Sequence, residues 1–474
     1  MADKQTRSYL TLLLATAFLL ALQWAYPKLL FMQQHFKNSN FLSYYFEGED
    51  SSAFLTAKLD SSLFDQLDTL PDSTELLADT VNSDSLPPLA IIDVAWFAND
   101  TVPIPDTANL AELRKFFTAL NELPAKRKKV RVSYWGDSMI EGDLITQTLR
   151  RKLQQMYGGS GVGFVPFVSI SAGFRRTVLH SYGGPWEYYS LVKNAKRKVA
   201  PFGLSGEYMM QGRDSVNSKV WSTYSVPKGK KSWNQVKLFY GKGDTKAIAE
   251  IRINNGTWQK VKLKDTLAVN TLVYSDSSIR KFEVRFDSAR NTVLYGVSLE
   301  SKEGLQLDNL NLRGNSGMAQ TRISKEVMRG FNATIHPDLI VLQFGMNVIN
   351  ASTLRYDWFE RALTGAVRHY QRCYPEASIL IIGVADKGFK KGDVMVSDPS
   401  VYRVLKVQYK VAIKTGVAFW SLHGAMGGEG SMVSWADAEK PLANKDYTHL
   451  NFRGAETVGI MLYDFLMKEK EKYD

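Results

Sequence analysis

Four short pieces of this chain carry side chains that could do chemistry together. They are Gly136-Asp137-Ser138, the run Asn311-Leu312-Arg313-Gly314-Asn315-Ser316-Gly317, the triplet Gly345-Met346-Asn347, and Asp446-Tyr447-Thr448-His449. A serine hydroxyl is a weak nucleophile at neutral pH and needs a base to take its proton. His449 is the natural base, and Asp446, three residues earlier, can hold its other ring nitrogen and stabilise the imidazolium. Attack on a carbonyl builds negative charge on its oxygen, so donors fixed at that point matter most; losing one costs roughly 3 kcal/mol. The backbone N–H groups of Ser138 and Gly317 and the side-chain amide of Asn347 are three candidates. A glycine at 317 lets backbone approach a substrate closely. Asp137 reads as the residue that shapes the turn.

The elements around these pieces must position them. Val130–Tyr134 reads as a strand running into the serine, and Leu144–Tyr157 as a helix stopped by Gly158-Gly159. Before them, Leu110–Leu123 has apolar residues at helical spacing, with Pro124 and the basic run Lys126–Lys129 expected to end it. From about Phe164 to Leu307 the pattern changes to period-two alternation with Asn-Gly and Asp-Ser turns, which predicts an inserted antiparallel β-sandwich. Strands and helices then alternate. IHPDLIVLQF leads directly into Gly345, helices are expected over 354–373, 398–415 and 453–468, and strands over 378–384 and 417–420. That alternation predicts a parallel sheet covered on both faces, with active residues beyond the carboxyl ends of its strands.

The four pieces, in this order, resemble the blocks of the SGNH (GDSL) hydrolase superfamily: a GDS serine, a glycine, a G-x-N asparagine and a D-x-x-H pair. The resemblance covers about residues 128–470 and implies a flavodoxin-like three-layer α/β/α domain that hydrolyses esters without a metal or other cofactor. Carried over, Ser138 is the nucleophile, Asp446 and His449 its partners, and Ser138, Gly317 and Asn347 the oxyanion donors. Gly314 is the other candidate for the second block. A narrower resemblance lies in GDSMIEGD, LQQMYGGSGVGFVP and the β insert, which look like the peptidoglycan O-acetylesterases. Those enzymes carry a carbohydrate-module-like, jelly-roll insert at this place. In that group Asp143 supports the site.

Other residues have quieter readings. His423 also follows a strand and is the rival base, but lacks an acid at the spacing of Asp446. His180 and His336 read as core or surface residues, and the six histidines show no metal-ligand spacing. Trp186, Trp221, Trp233 and Trp258 could stack on sugar rings or fill the core of the insert. The glycines at 158, 159, 161 and 163 lack the Gly-Lys-Ser/Thr that would make a phosphate loop and read as a tight turn. The single cysteine, Cys373, excludes an intramolecular disulfide and a Cys-rich zinc site.

Between Arg7 and Lys28 lie twenty uncharged residues, 8–27, with aromatic rings near both ends. That length suits a membrane-spanning helix, read as an uncleaved signal anchor within residues 1–46. Residues 47–107 carry thirteen acidic groups and one Lys, and read as an acidic tether. The folded part is then 108–163 and 308–474 for the hydrolase-like domain, with 164–307 inserted. The whole chain is +11 and the tether −12, which leaves +23 elsewhere. So basic a remainder suits a polyanionic partner such as a wall polymer, or pairing with the chain's own acidic segment. Its basic residues are spread and no nucleic-acid module is visible. The expectation is a membrane-anchored, extracytoplasmic serine esterase acting on an acetylated polysaccharide, most specifically peptidoglycan, and periplasmic in a Gram-negative host. An O-acetyltransferase on the same residues and a catalytically silent wall-binding protein are the rival readings. Oligomeric state is left open.

Overall fold

Strands buried on both faces form the spine of the fold. The computed structural model describes residues 103–126, 129–193, 200–212, 219–353 and 355–474. The expected anchor at 8–27 and the tether up to residue 102 lie outside the described residues. Among those described, no helix is long and apolar enough to cross a membrane.

The chain enters as β1 (Thr107–Ala108), a 3-10 turn and α1 (Arg114–Lys126), followed by β2 (Lys129–Gly136) and α2 (Leu144–Tyr157). α1 buries Phe116, Phe117, Leu120 and Leu123, one stripe at helical spacing. α1 stops at Lys126, where the basic run begins, and not at Pro124 itself. The proline sits inside the last turn, where its missing N–H removes one hydrogen bond and the helix stops two residues later.

β3 (Gly161–Pro166) leaves for the insert, which continues through β4 (Leu179–Gly183), β5 (Trp186–Ser190), β6 (Glu207–Gln211), β7 (Val220–Ser225), β8 (Trp233–Tyr240), β9 (Ile248–Ile253), β10 (Gln259–Lys262), β11 (Asn270–Ile279), β12 (Lys281–Asp287) and β13 (Leu294–Glu300). One sheet runs β10-β9-β12-β7-β4 and the other β11-β8-β13-β6-β5, with β3 paired to β13. Alternate residues such as Val220 and Tyr224 on β7, or Phe282, Val284 and Phe286 on β12, fill the core between them. The glycine run before β3 serves close packing. A Cβ on Gly159 would stand 2.5 Å from the carbonyl oxygen of Leu305, and one on Gly161 2.2 Å from that of Leu299.

The chain returns as β14 (Gly304–Asn311), α3 (Lys325–Ile335), β15 (Leu339–Gln343), α4 (Asp357–Cys373), β16 (Ser378–Gly383), the hairpin β17 (Gly388–Lys391) and β18 (Val394–Ser397), α5 (Ser400–Thr415), β19 (Ala418–Ser421), α6 (Leu422–Met426), α7 (Ser431–Asp437) and α8 (Phe452–Lys470). The central sheet is ordered β1-β19-β16-β15-β2-β14. Its strands are parallel except β1, which pairs antiparallel with β19. Taken in chain order, the five parallel strands lie 2-1-3-4-5, the flavodoxin-like order, which switches direction between β2 and β15. α2 packs on α8 and α1, while α4 packs on α3 and α5.

The sequence pattern divides the insert at 164 and 307. Pairing draws the lines slightly earlier, with β3 in the inserted sheet from Gly161 and β14 in the central sheet from Gly304. Thr107, expected at the end of the tether, pairs with Trp420. A buried ionic seam joins insert to sheet. Arg131 on β2 donates to Asp308 on β14 at 2.7 and 2.9 Å and also binds Glu300 on β13, which Lys129 and Lys237 reach at 2.7 and 2.9 Å.

Candidate active site

Ser138 opens the turn directly after β2, so its own N–H has no intrahelical partner. Its Oγ lies 2.8 Å from Nε2 of His449, and Nδ1 of His449 lies 2.7 Å from Oδ2 of Asp446. The other oxygen of Asp446 accepts the backbone N–H groups of Thr448 and His449, both at 3.0 Å. A short Asx turn thus fixes the acid under the ring. With Nδ1–H donated to the carboxylate, Nε2 is left to accept the serine proton. Burial pulls His449 down, but the hydrogen bond and charge of Asp446, with the charge of Asp137 behind, carry it above the ordinary histidine value. Burial likewise opposes the charge on Asp446, and His449 and the two backbone donors outweigh it, holding the carboxyl low.

The expected oxyanion donors gather at the same place, but they are engaged with the protein. Gly317, at φ +86°, gives its N–H to Oδ1 of Asn315 at 2.9 Å. Nδ2 of Asn347 lies 3.0 Å from the carbonyl oxygen of Asn315 and 3.3 Å from Oδ2 of Asp137. Asn315 is buried and holds both. The sequence reading passes over it, although an Asn two residues before an N–H is the signature of an Asx turn. Gly314 also has positive φ, but a Cβ there would lie against Val192 of the insert.

Asp137 and Asp143 stand at the two ends of the serine turn, and both are fully buried. Asp137 accepts the N–H of Met139 at 2.9 Å, as a turn-shaping residue should. Burial pushes its carboxyl up to about 6, against the pull of that N–H and of His449. Asp143 has Arg150 at 2.6 Å, Arg175 at 3.4 Å, and Thr146 and Thr177 for company. Burial again opposes its charge, and the two guanidiniums override it, holding it far below the usual carboxylate range. Asp143 therefore ties the serine turn to α2 and to the segment entering the insert. Between the two acids, Glu141 binds Arg313, a pair that sequence reasoning misses because its members stand 172 residues apart.

The remaining candidates lie elsewhere. His423 faces Asp386, Asp106 and Glu429. His180 stacks on Tyr224 at 4.5 Å, and its Nε2 lies 3.2 Å from the carbonyl oxygen of Phe167. His336 is exposed. Trp233 is in the insert core, Trp186 stacks on Phe167, Trp258 lies under Arg252 and Arg285, and Trp221 is exposed. Cys373 is buried, and burial raises its thiol to about 11, an inert state. Among the described residues, no group of three or more His, Cys, Asp or Glu stands together as a metal site.

Neither a family model nor a curated protein matches the sequence. The solved structures do offer a likeness. A peptidoglycan O-acetylesterase superposes with a TM-score of 0.64 at 21% identity, over 78% of this chain and 100% of that one. The chain shares that enzyme's fold. The likeness agrees with the resemblance carried by the four sequence blocks and by the insert. A family two carbohydrate esterase from Cellvibrio japonicus is 9% identical over 63% of this chain and 99% of that one, at TM-score 0.24. The acetyl xylan esterase AlAXEase is 17% identical over 34% and 80%, at TM-score 0.27. Both are too distant in shape to bear on the function.

Proposed function

We propose that this protein is a membrane-tethered serine esterase that removes O-acetyl groups from a cell-envelope polysaccharide, with peptidoglycan as the substrate. The observation that carries this reading is the continuous chain from Ser138 Oγ through His449 to Asp446, at 2.8 and 2.7 Å. It stands at the switch point of the sheet, where parallel α/β folds place their ligands. The fold shared with a peptidoglycan O-acetylesterase supports the substrate class. The apolar run at 8–27 would hold the chain in a membrane, and the acidic stretch after it would give the domain reach across an envelope, periplasmic in a Gram-negative host. The net positive charge of the remainder favours encounter with an anionic polymer.

In this reading Ser138 Oγ attacks the acetyl carbonyl carbon while Nε2 of His449 takes its proton. Asp446 holds the imidazolium. The developing oxyanion competes with Asn315 for the Gly317 N–H and the Asn347 amide and meets the Ser138 N–H; such contacts tighten as the transition state forms. The C–O bond to the sugar breaks, the sugar oxygen takes the proton from His449, and acetyl-Ser138 remains. A water then attacks, giving its proton to His449, and acetate leaves as the proton returns to Ser138.

The test is acetate release from O-acetylated peptidoglycan by the purified full-length chain, with Ser138→Ala beside it. Release by the unmutated protein alone is expected. Wild-type turnover in Ser138→Ala would remove the serine from the chemistry. A Ser138-dependent acetyl transfer to an added sugar, with little free acetate, would favour the transferase, because a hydroxyl then takes the place of water. No turnover of any acetyl ester by a folded chain would favour a binding protein.

A further inference from the structure

The outer face of one insert sheet carries a strip that the serine chemistry does not use. Along β7, Val220, Ser222 and Tyr224 turn inward, so Trp221 turns to solvent, where it is 37% exposed. Across the ladder it pairs with Gly183 on β4 and with Arg285 on β12. The backbone at Gly183 does not call for glycine, since its φ is not positive. A Cβ there would meet three indole atoms of Trp221 at nearly equal distances, 2.8, 2.9 and 2.9 Å. The ring therefore lays one face over the glycine and leaves the other open. Glycine at this position makes room for that pose.

A second indole stands on Arg285. Trp258, in the turn between β9 and β10, has its ring centre 3.9 Å from the guanidinium carbon of Arg285 and 4.6 Å from that of Arg252. The two arginines differ. Arg252 gives Nε and Nη2 to the two oxygens of Glu283, at 2.6 and 2.8 Å. Arg285 meets no carboxylate among the described residues. Its ladder neighbour on β9, Glu250, is held by Lys219 at 2.9 Å and by Lys260 at 3.8 Å. Stacking on Trp258 thus fixes the plane of a guanidinium whose N–H edge is unspent. Ser181, Thr223 and Ser225 add hydroxyls to the same face.

We propose that Trp221, Arg285 and Trp258 form a second, non-catalytic face that binds a polysaccharide strand carrying carboxylates. The C–H face of a sugar ring rests on an indole, and a planar fork of N–H groups matches a carboxylate. Charge complementarity names the occupant, because Arg285 is left uncompensated between the two rings. A nucleic acid would need several free cations along its backbone, and Arg252, Lys260 and Lys281 on this face already meet Glu283 or Glu250. Rings and carboxylates make the contact, so it is blind to acetylation. The face also lies within reach of the serine turn. Thr177 holds Asp143, and Gly183 follows six residues later, at most about 20 Å of extended chain. In the esterase reading, a strand lying on both would stay at the site between turnovers. The binding face itself goes beyond that reading and does not depend on it.

The experiment pellets the full-length Ser138→Ala chain with purified peptidoglycan sacculi at about 0.15 M salt, where distant surface charges are screened. One preparation is O-acetylated and the other has been stripped of acetyl groups by mild base. The readout is the apparent Kd, which should be the same for both. Trp221→Ala, added to that chain, should weaken binding about tenfold, and Arg285→Gln about fivefold, as expected for aromatic and charge-assisted anchors of a binding face. Trp221→Phe, which keeps a ring, should bind more tightly than Trp221→Ala. Unchanged thermal midpoints check that the sheet is intact. With Ser138 in place, Trp221→Ala should leave turnover of a small aryl acetate as it was. Unchanged binding in Trp221→Ala or in Arg285→Gln overturns the face, as does no binding by the parent chain. Binding that is lost on the stripped sacculi returns recognition to the serine site and overturns it too. Tighter binding to a single-stranded DNA oligonucleotide, weakened by the same changes, would make the occupant a nucleic acid and overturn the polysaccharide. Failure of the esterase reading shows separately, as no turnover of any acetyl ester, and leaves these binding constants standing.

Discussion

Asp137 caps one six-residue turn and Asp143 ends it, and neither side chain touches water. Their charges are nonetheless driven in opposite directions. Asp137 has backbone N–H groups and the Asn347 amide for company, and burial carries its carboxyl up to about 6. Asp143 has two guanidiniums, which overcome the same burial and keep it ionised. Burial alone therefore does not decide the charge of a carboxylate; the cations within reach do. The far end of the turn is locked by permanent charges to α2 and to the segment entering the insert. The end beside Ser138 keeps an acid whose charge costs energy. Asp446, exposed at the rim, is a third case, since its contacts go to His449.

The largest effect should fall on rate and leave this contrast untouched. Asp446→Asn removes the acceptor for Nδ1–H and favours the wrong tautomer. It should lower kcat/KM by up to about 10⁴-fold, the cost of the equivalent change in a serine protease. The thermal midpoint should hardly move, because the side chain is exposed. Its pH profile sharpens the point. The base must be neutral, and His449 is raised above its ordinary value of about 6.5, so activity should fall as pH drops through a limb centred above that value. In Asp446→Asn the residual activity should show the limb at lower pH. An unshifted limb would mean that a group other than His449 is the base.

The contrast also bears on what the sequence discloses. All four blocks are legible because each sits at an element boundary, where residue type is tied to a job. β14 is harder. Gly304-Leu305-Gln306-Leu307-Asp308 alternates polar and apolar residues like the antiparallel strands before it, and so its pattern merges with the insert up to Leu307. Both its faces are buried. The polar positions turn to partners within the protein, Asp308 to Arg131 and the Gln306 amide N–H to Ser301, so the alternation reports internal pairing and not a wet face. The pairs Asp143–Arg175 and Glu141–Arg313 are invisible for a related reason. Only the folded strand order brings their partners together, and a charge in the sequence carries no mark of the one it will meet. β1 escapes sequence reasoning because a two-residue strand has no period.

Asp143→Asn tests the locked end. The amide keeps the size of the side chain, and Asn tolerates the left-handed backbone found there, φ 70°. It leaves Arg150 and Arg175 buried without a counter-charge, which should cost about 3–5 kcal/mol. The expected result is a thermal midpoint lower by several degrees, with kcat for the remaining folded protein little changed. The contribution of Asp143 is present above the pKa of an unfolded aspartate, about 3.9, and is lost as pH falls below it. The variant's deficit should therefore shrink in acid. A normal midpoint paired with a large kcat loss would move Asp143 into the chemistry.

Asp137→Asn should have the smallest effect on rate, and an effect on stability of the opposite sign. The folded carboxyl titrates near 6 and the unfolded one near 3.9, so the folded state holds a proton more tightly across that window. Stability from this group is complete below about 3.9 and is lost as pH rises through about 6, a cost on the order of 3 kcal/mol at neutral pH. An amide, which never ionises, escapes that cost. Asp137→Asn should then be at least as stable as the unmutated protein at pH 7 and should gain nothing at pH 4. The charge of Asp137 also raises His449, so the acid limb of the activity profile should move slightly down in the variant. A variant less stable at pH 7 than at pH 4, relative to the unmutated protein, would show that Asp137 is held charged by a donor stronger than the Met139 N–H. The two ends of the serine turn would then be alike.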